Sequence, residues 1–211
     1  MNEYRYLAEL LERYPVLRGE EKSLCAVYEM LRDCFAAGGK LLVAGNGGSC
    51  ADAEHIVGEL MKGFVKKRPV TEELQRALLL EDPEAGKALA DSLQMGLPAI
   101  ALTGHAGLTT AFINDVNGTM VYAQQVLGYG KPGDVFLGIS TSGNSENVRL
   151  AAVTAKAKGL KVAGLLGRDG GTIRPLCDAA IVAPEQETFK IQELHLPVYH
   201  ALCLMLEEHF F

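Results

Sequence analysis

The chain has 211 residues, 48% of them hydrophobic, enough to bury one sizeable core, which predicts a single globular domain. Its formal net charge of −6 argues against a nucleic-acid or anionic-membrane surface, and no apolar run approaches membrane-spanning length. Cys25, Cys34, Cys50, Cys177 and Cys203 are scattered and without C-x-x-C spacing, which speaks for a reducing compartment and against a disulfide frame or a thiolate zinc site. The opening segment Met1 to Arg5 lacks a basic stretch leading into an apolar run, so a cytoplasmic location is expected.

In chain order, Leu7, Leu10, Leu11 and Tyr14 recur at helical spacing and stop before Pro15. Leu24, Val27, Tyr28, Leu31, Cys34 and Phe35 repeat the pattern up to Gly38-Gly39. Residues 1–38 are therefore read as an N-terminal helical pair. From residue 39 to 211, strand-like apolar runs at 40–45, 98–102, 134–139, 160–166 and 179–183 alternate with helical patterns. Continuous apolar strands separated by helices predict an α/β fold with a doubly wound five-stranded parallel sheet flanked by helices. Between the first helix of that unit and its second strand lies a helical insertion near 70–97. It consists of two short helices broken at Asp82-Pro83, with Thr71 and Asp82 as candidate caps, and is read as an embellishment or a subunit contact rather than a lid.

Two turns carry the chemistry. Gly45-Asn46-Gly47-Gly48-Ser49 and Ser140-Thr141-Ser142-Gly143-Asn144-Ser145 each join an apolar strand to a helix. Such a turn presents free backbone N–H groups at the positive end of a helix, and Ser and Thr add short donors. Ser49 and Ser145 would also serve as ordinary N-caps, but the two turns together point to a phosphorylated metabolite. Beyond Ser49, His55 and Glu59 lie one helical turn apart. Gln192, Glu193, His195 and His200 share a later helical segment that contains Pro197, expected to kink it or release a carbonyl. The His, Glu, Gln and His groups can converge on a zinc-like ion, act directly as acid and base, or remain a solvated ion pair and its neighbours. His105 and His209 are read as structural or solvent-exposed. The Glu207-Glu208 run and the Lys66-Lys67-Arg68 cluster are read as solvated edges.

These residues resemble the sugar-isomerase (SIS) domain family, within it most closely the phosphoheptose isomerase branch. G-N-G-G-S followed by D-A-x-H-x-x-x-E-L matches at Gly45 to Leu60, G-I-S-T-S-G-N-S at Gly138 to Ser145, and I-Q-E-x-H with its later His at Ile191 to His200. Arg68-Pro69, Pro98 to Leu102 and Asn114-Asp115 match further landmarks. The resemblance implies a flavodoxin-like SIS fold whose N-terminal helices join a central bundle, in homotetramers with active sites at subunit interfaces. It implies phosphate binding by Gly47, Gly48, Ser49, Ser140, Thr141, Ser142 and Ser145, and sugar contacts from Asn46 and Gln192. Glu59 and His200 would be the catalytic pair, and His55, Glu59, Gln192 and His200 the zinc positions. The implied reaction interconverts sedoheptulose 7-phosphate and D-glycero-D-manno-heptose 7-phosphate through an enediol. Thr103-Gly104 and Phe189 stand where the family carries Ser-Asp and an Asp, and residues 70–97 have no counterpart in the short family loop. The alternatives are a non-catalytic SIS module that senses a sugar phosphate or docks onto a partner protein, and a phosphosugar lyase or etherase. His200 together with Glu59 favours the isomerase.

Overall fold

The computed structural model describes residues 3–211, so Met1 and Asn2 of the expected N-terminal helical pair lie outside the described residues. The chain runs α1 (Tyr4–Arg13), α2 (Glu21–Ala36), β1 (Leu41–Ala44), α3 (Gly48–Met61), α4 (Glu72–Glu81), α5 (Pro83–Ser92), β2 (Ala99–Ala101), α6 (Ala106–Asp115), α7 (Val121–Tyr129), β3 (Val135–Ser140), α8 (Glu146–Ala157), β4 (Lys161–Gly167), β5 (Ala179–Ala183) and α9 (Thr188–Phe210). The strands form one parallel sheet in the order β2-β1-β3-β4-β5. All five expected strands are present, and the α/β doubly wound class holds. Among the described residues, no helix is long and apolar enough to cross a membrane.

Each strand sends alternate side chains to opposite faces. Leu41, Val43, Val135, Leu137 and Ile139 pack with residues of α1, α2, α3 and α9 in one core. Leu42, Ala44, Phe136, Val162 and Leu166 pack with α7 and α8 in the other. Connections from β1 and β3 leave toward opposite ends of the strand order, so a crevice opens beyond the carboxyl ends of these two neighbouring strands. Both turns therefore meet at the switch point of the sheet. Gly47 has φ +57°, and Gly143 has φ +65° with space for a Cβ only 2.1 Å from the Gly170 carbonyl oxygen; both turns require glycine there.

Thr71 and Asp82 cap α4 and α5 as expected, accepting from the amides of Leu74, and of Glu84 and Ala85. The two helices pack on each other across Gly86, the sole buried residue of either. Pro197 lies inside α9, which continues to Phe210. The five cysteines are free thiols.

Two surface assignments are corrected. Glu207 is buried, accepts from Arg68 Nε at 2.9 Å and from the amides of Phe64, Val65 and Lys66 at 2.8, 2.9 and 3.1 Å. Arg68 is buried with it and also donates to the carbonyls of Leu60 and Glu59. Burial pushes the Glu207 carboxyl up, but the amides and the guanidinium outweigh it and hold the group below its ordinary value. The loop after α3 contains backbone amides that need a buried acceptor, and the carboxylate at the end of α9 meets that need. This clamp ties the carboxyl end of α3 to α9.

Candidate active site

Asn46, Gly47, Gly48, Ser49, Ser140, Thr141, Ser145 and Gln192 line one cup of about 340 Å³, together with Ile139 and Thr188. The cup is built at the amino ends of α3, α8 and α9, where unpaired amides and helix dipoles favour an anion. Ser49 and Ser145 are freed for it. The N-cap of α3 is Gly47 and Ser49 sits buried inside the first turn, while Ser145 occupies the N-cap of α8 without making a side-chain cap bond. Neither serine caps its helix through its side chain, so the ordinary capping alternative does not account for them. Ser145 Oγ instead lies 2.9 Å from Ser140 Oγ. Ser142 does not line the cup; its Oγ accepts the Asn144 amide and braces the turn.

Three residues in or beside the cup carry no motif signal of their own. Asn147 and Asn46 exchange reciprocal amide hydrogen bonds, both 2.8 Å, which lock the β1 and β3 turns together. Tyr122 donates to the Gly45 carbonyl at 2.7 Å, and burial pushes its hydroxyl up to about 12. Thr188 opens α9 beside Gln192. Asn147 lies two residues past Ser145 in the first turn of α8, where its position could have flagged it; Tyr122 and Thr188 offered no such cue.

A second group lies farther along α3 and α9. His55 Nε2 is 3.2 Å from Glu59 Oε1, and Lys62 Nζ donates to Glu59 Oε2 at 3.1 Å. The His55 and His200 ring centroids are 5.0 Å apart. His200 Nε2 is buried without a hydrogen-bond partner. Burial first, then the charge of His55, holds the His200 imidazole below its ordinary value, against a raising effect of Glu59. His55, Glu59 and His200 are thus brought together. The Gln192 amide is not with them: its Nε2 lies over Gly48, about 10 Å back along α3 at ~1.5 Å per residue.

Two imidazoles and a carboxylate are zinc ligand types. An orphaned buried nitrogen and a second nitrogen facing a carboxylate fit a cation in chemistry. Among the described residues, however, no three His, Cys, Asp or Glu side chains are gathered closely enough to hold a metal ion.

The remaining histidines have structural contacts. His195 is fully buried with Nε2 3.0 Å from the Leu166 carbonyl, and burial pushes it down to about 4. His105 lies beside Tyr129, and His209 beside Glu3. Thr103 donates to Glu54 at 3.0 Å, Gly104 leaves the space next to it open, and Phe189 is exposed.

The family model of the SIS domain matches residues 4–88 and 82–167, its two segments overlapping at the start of α5. A phosphoheptose isomerase from a Nitratiruptor species is 44% identical over 171 residues, 81% of this chain and 78% of the relative. One from Geotalea daltonii is 40% identical over 195 residues, 92% of this chain and 88% of the relative. The solved structure of phosphoheptose isomerase GmhA from Neisseria gonorrhoeae is 31% identical, covers 99% of this chain and 100% of its own, and superposes with a TM-score of 0.73. The chain belongs to the SIS-domain family, within its phosphoheptose isomerase group.

Proposed function

We propose that the protein is a phosphosugar aldose–ketose isomerase that converts sedoheptulose 7-phosphate to D-glycero-D-manno-heptose 7-phosphate. One observation carries this: an anion cup at the amino ends of α3 and α9 lies on the same two helices as the His55–Glu59–His200 group. From Ser49 to Glu59 the rise along α3 is about 15 Å, and from Gln192 to His200 along α9 about 12 Å. A long sugar phosphate, with several carbons between phosphate and carbonyl, suits such a separation better than a triose.

The cup would hold the phosphate and fix the chain of the open sugar, which places the reacting carbons beside one carboxylate. Glu59 would take a proton from C1, leaving an enediol, and return it to C2. Its side chain is mostly shielded, held on one oxygen by Lys62 and on the other by His55, so its orientation is set before substrate arrives. His200, kept toward its neutral form by burial, would exchange a proton with the sugar oxygens as charge moves between them. If zinc binds, His55, Glu59 and His200 are the side chains that would hold it, and it would supply Lewis-acid stabilisation of those oxygens.

A cytoplasmic homotetramer with shared sites completes this picture. Self-association is supported by the apolar side chains of Leu108, Ile113, Val116 and Met120, exposed on and after α6 beyond the carboxyl end of β2. The test is conversion of sedoheptulose 7-phosphate by wild type, Glu59→Gln and His200→Ala. Turnover in wild type with a loss of about 10²–10⁴-fold in each variant is expected. Tight binding of the sugar phosphate with no turnover in wild type would instead support the sensing module.

A further inference from the structure

Among the described residues, Arg168 is the one non-glycine residue with a positive φ, +56°. Left-handed backbone crowds the Cβ of an L-residue and is disfavoured for a long side chain. The same loop carries glycine at its other two left-handed positions, Gly170 (φ +84°) and Gly171 (φ +52°). Such strain persists only where the surroundings impose it, and it concentrates at functional sites. Here the surroundings are the walls of the cup. Ser140 stands in register with Leu166, so Arg168 leaves the sheet two residues beyond a cup residue and one strand spacing, ~4.8 Å, to its side. Gly167 lies against both the β3 turn and α9. A Cβ there would come within 2.7 Å of the Thr141 carbonyl oxygen and 2.6 Å of the Ile191 side chain. The Arg168 amide donates to the Glu185 carbonyl at 3.1 Å, in the segment that leads into Thr188.

Charge gives the second observation. No charged side chain lines the cup, yet a phosphate monoester carries about −1.5 to −2 charges near neutral pH. The cations on the neighbouring helices are committed, Arg149 to Glu146 in α8 and Lys190 to Glu187 in α9. Arg174 donates to the Asp169 carbonyl. Arg168 is exposed, and among the described residues its guanidinium has no hydrogen-bond or ion-pair partner. Nor does the acid next to it claim it, since Asp169 accepts the Gly171 amide. We propose that Arg168 is a substrate-binding residue, an unpaired cation kept at the rim of the cup to pair with the phosphate of the bound sugar. Glycine would relax the backbone there but would supply no charge. A guanidinium presents a planar fork of donors that matches phosphate oxygens. Because it works at an exposed rim, its contribution falls with ionic strength, whereas the neutral amides and hydroxyls of the cup bring no formal charge to screen.

The proposal rests on the cup being a phosphate site and not on the isomerase reaction. The test is the affinity of the cup for inorganic phosphate, by calorimetry at low and high salt. Wild type should bind more weakly as salt rises. At low salt Arg168→Gln should lose about 5–20-fold in affinity and most of the salt dependence. Arg168→Lys, which keeps the charge without the fork, should fall between them. Arg168→Gly should lose affinity like Arg168→Gln while its Tm stays at or above that of wild type, because the strain is gone. With sedoheptulose 7-phosphate, KM should rise in Arg168→Gln and kcat should hold. Wild-type affinity and salt dependence in Arg168→Gln would put Arg168 outside the site and leave the cup standing. A lowered Tm with wild-type phosphate affinity in Arg168→Gly would assign the residue to folding instead. Wild type that binds no phosphate at either salt would refute the cup, and this proposal with it. If the phosphate effects appear but wild type does not isomerise the sugar, the role of Arg168 stands and the isomerase reading alone fails.

Discussion

Arg68 and Glu207 make the buried pair on which the loop after α3 depends. Removing one partner strands the other in a dry environment, so Arg68→Met is expected to cost about 3–5 kcal/mol, read from urea denaturation. A cost below about 1 kcal/mol would mean that water reaches the clamp. His195 gives a second residue-scale expectation. Its folded value of about 4 lies below the ordinary 6.5, so the unfolded chain binds more protons between these values. Stability therefore falls as pH drops from about 6.5 toward 4, with a slope from this group approaching ~1.4 kcal/mol per pH unit. Replacing His195 with Gln should flatten that part of the stability profile, and an unchanged slope would assign the effect elsewhere. The Arg68–Glu207 pair was not legible in the sequence. It joins segments far apart in the chain, and a Glu followed by Glu at a helix end looks identical whether it meets water or a loop of bare amides. His55, Glu59 and His200 were legible because helical spacing and the family motifs put them on single faces.

At the scale of elements, the strands were readable because a parallel sheet buried on both faces writes continuous apolar runs, and these begin and end where the sequence places them to within a residue or two. The helix starts were less readable. Gly47, with no side chain to cap, begins α3, because the anion turn needs its positive φ more than the helix needs a serine cap. The α4–α5 hairpin was legible from Thr71 and Asp82-Pro83, which act at helix termini through local geometry alone. It contributes little to either core: α4 buries no residue and α5 only Gly86. Its ends are held side by side by the Pro69–Gln94 bridge. Excising residues 71–93 behind a short glycine linker is therefore expected to leave the far-ultraviolet dichroism of the sheet and cooperative thermal unfolding intact, with a change in stability of about 1 kcal/mol or less. Loss of cooperative unfolding would show that the hairpin is part of the folding unit.

For the whole molecule, sheet order decides where chemistry can occur. Turns from β1 and β3 open onto one crevice because these strands are neighbours at the switch point, and α3 and α9 run back from it side by side. In the proposed assembly a second copy of the chain covers the apolar surface of α6, and light scattering on the purified protein should then give a tetramer. A monomer at micromolar concentration would remove the shared-site picture without touching the chemistry within one chain. On the proposed reading, Glu59 transfers a proton between adjacent carbons of a long sugar phosphate. The most direct measurement is incorporation of deuterium from D2O into sedoheptulose 7-phosphate and its product, followed by NMR for wild type and Glu59→Gln. Wild type should exchange the C1 proton of the ketose and the C2 proton of the aldose, and Glu59→Gln should exchange neither while still binding the sugar phosphate. Exchange that persists in Glu59→Gln, or none in wild type with substrate bound, would contradict it.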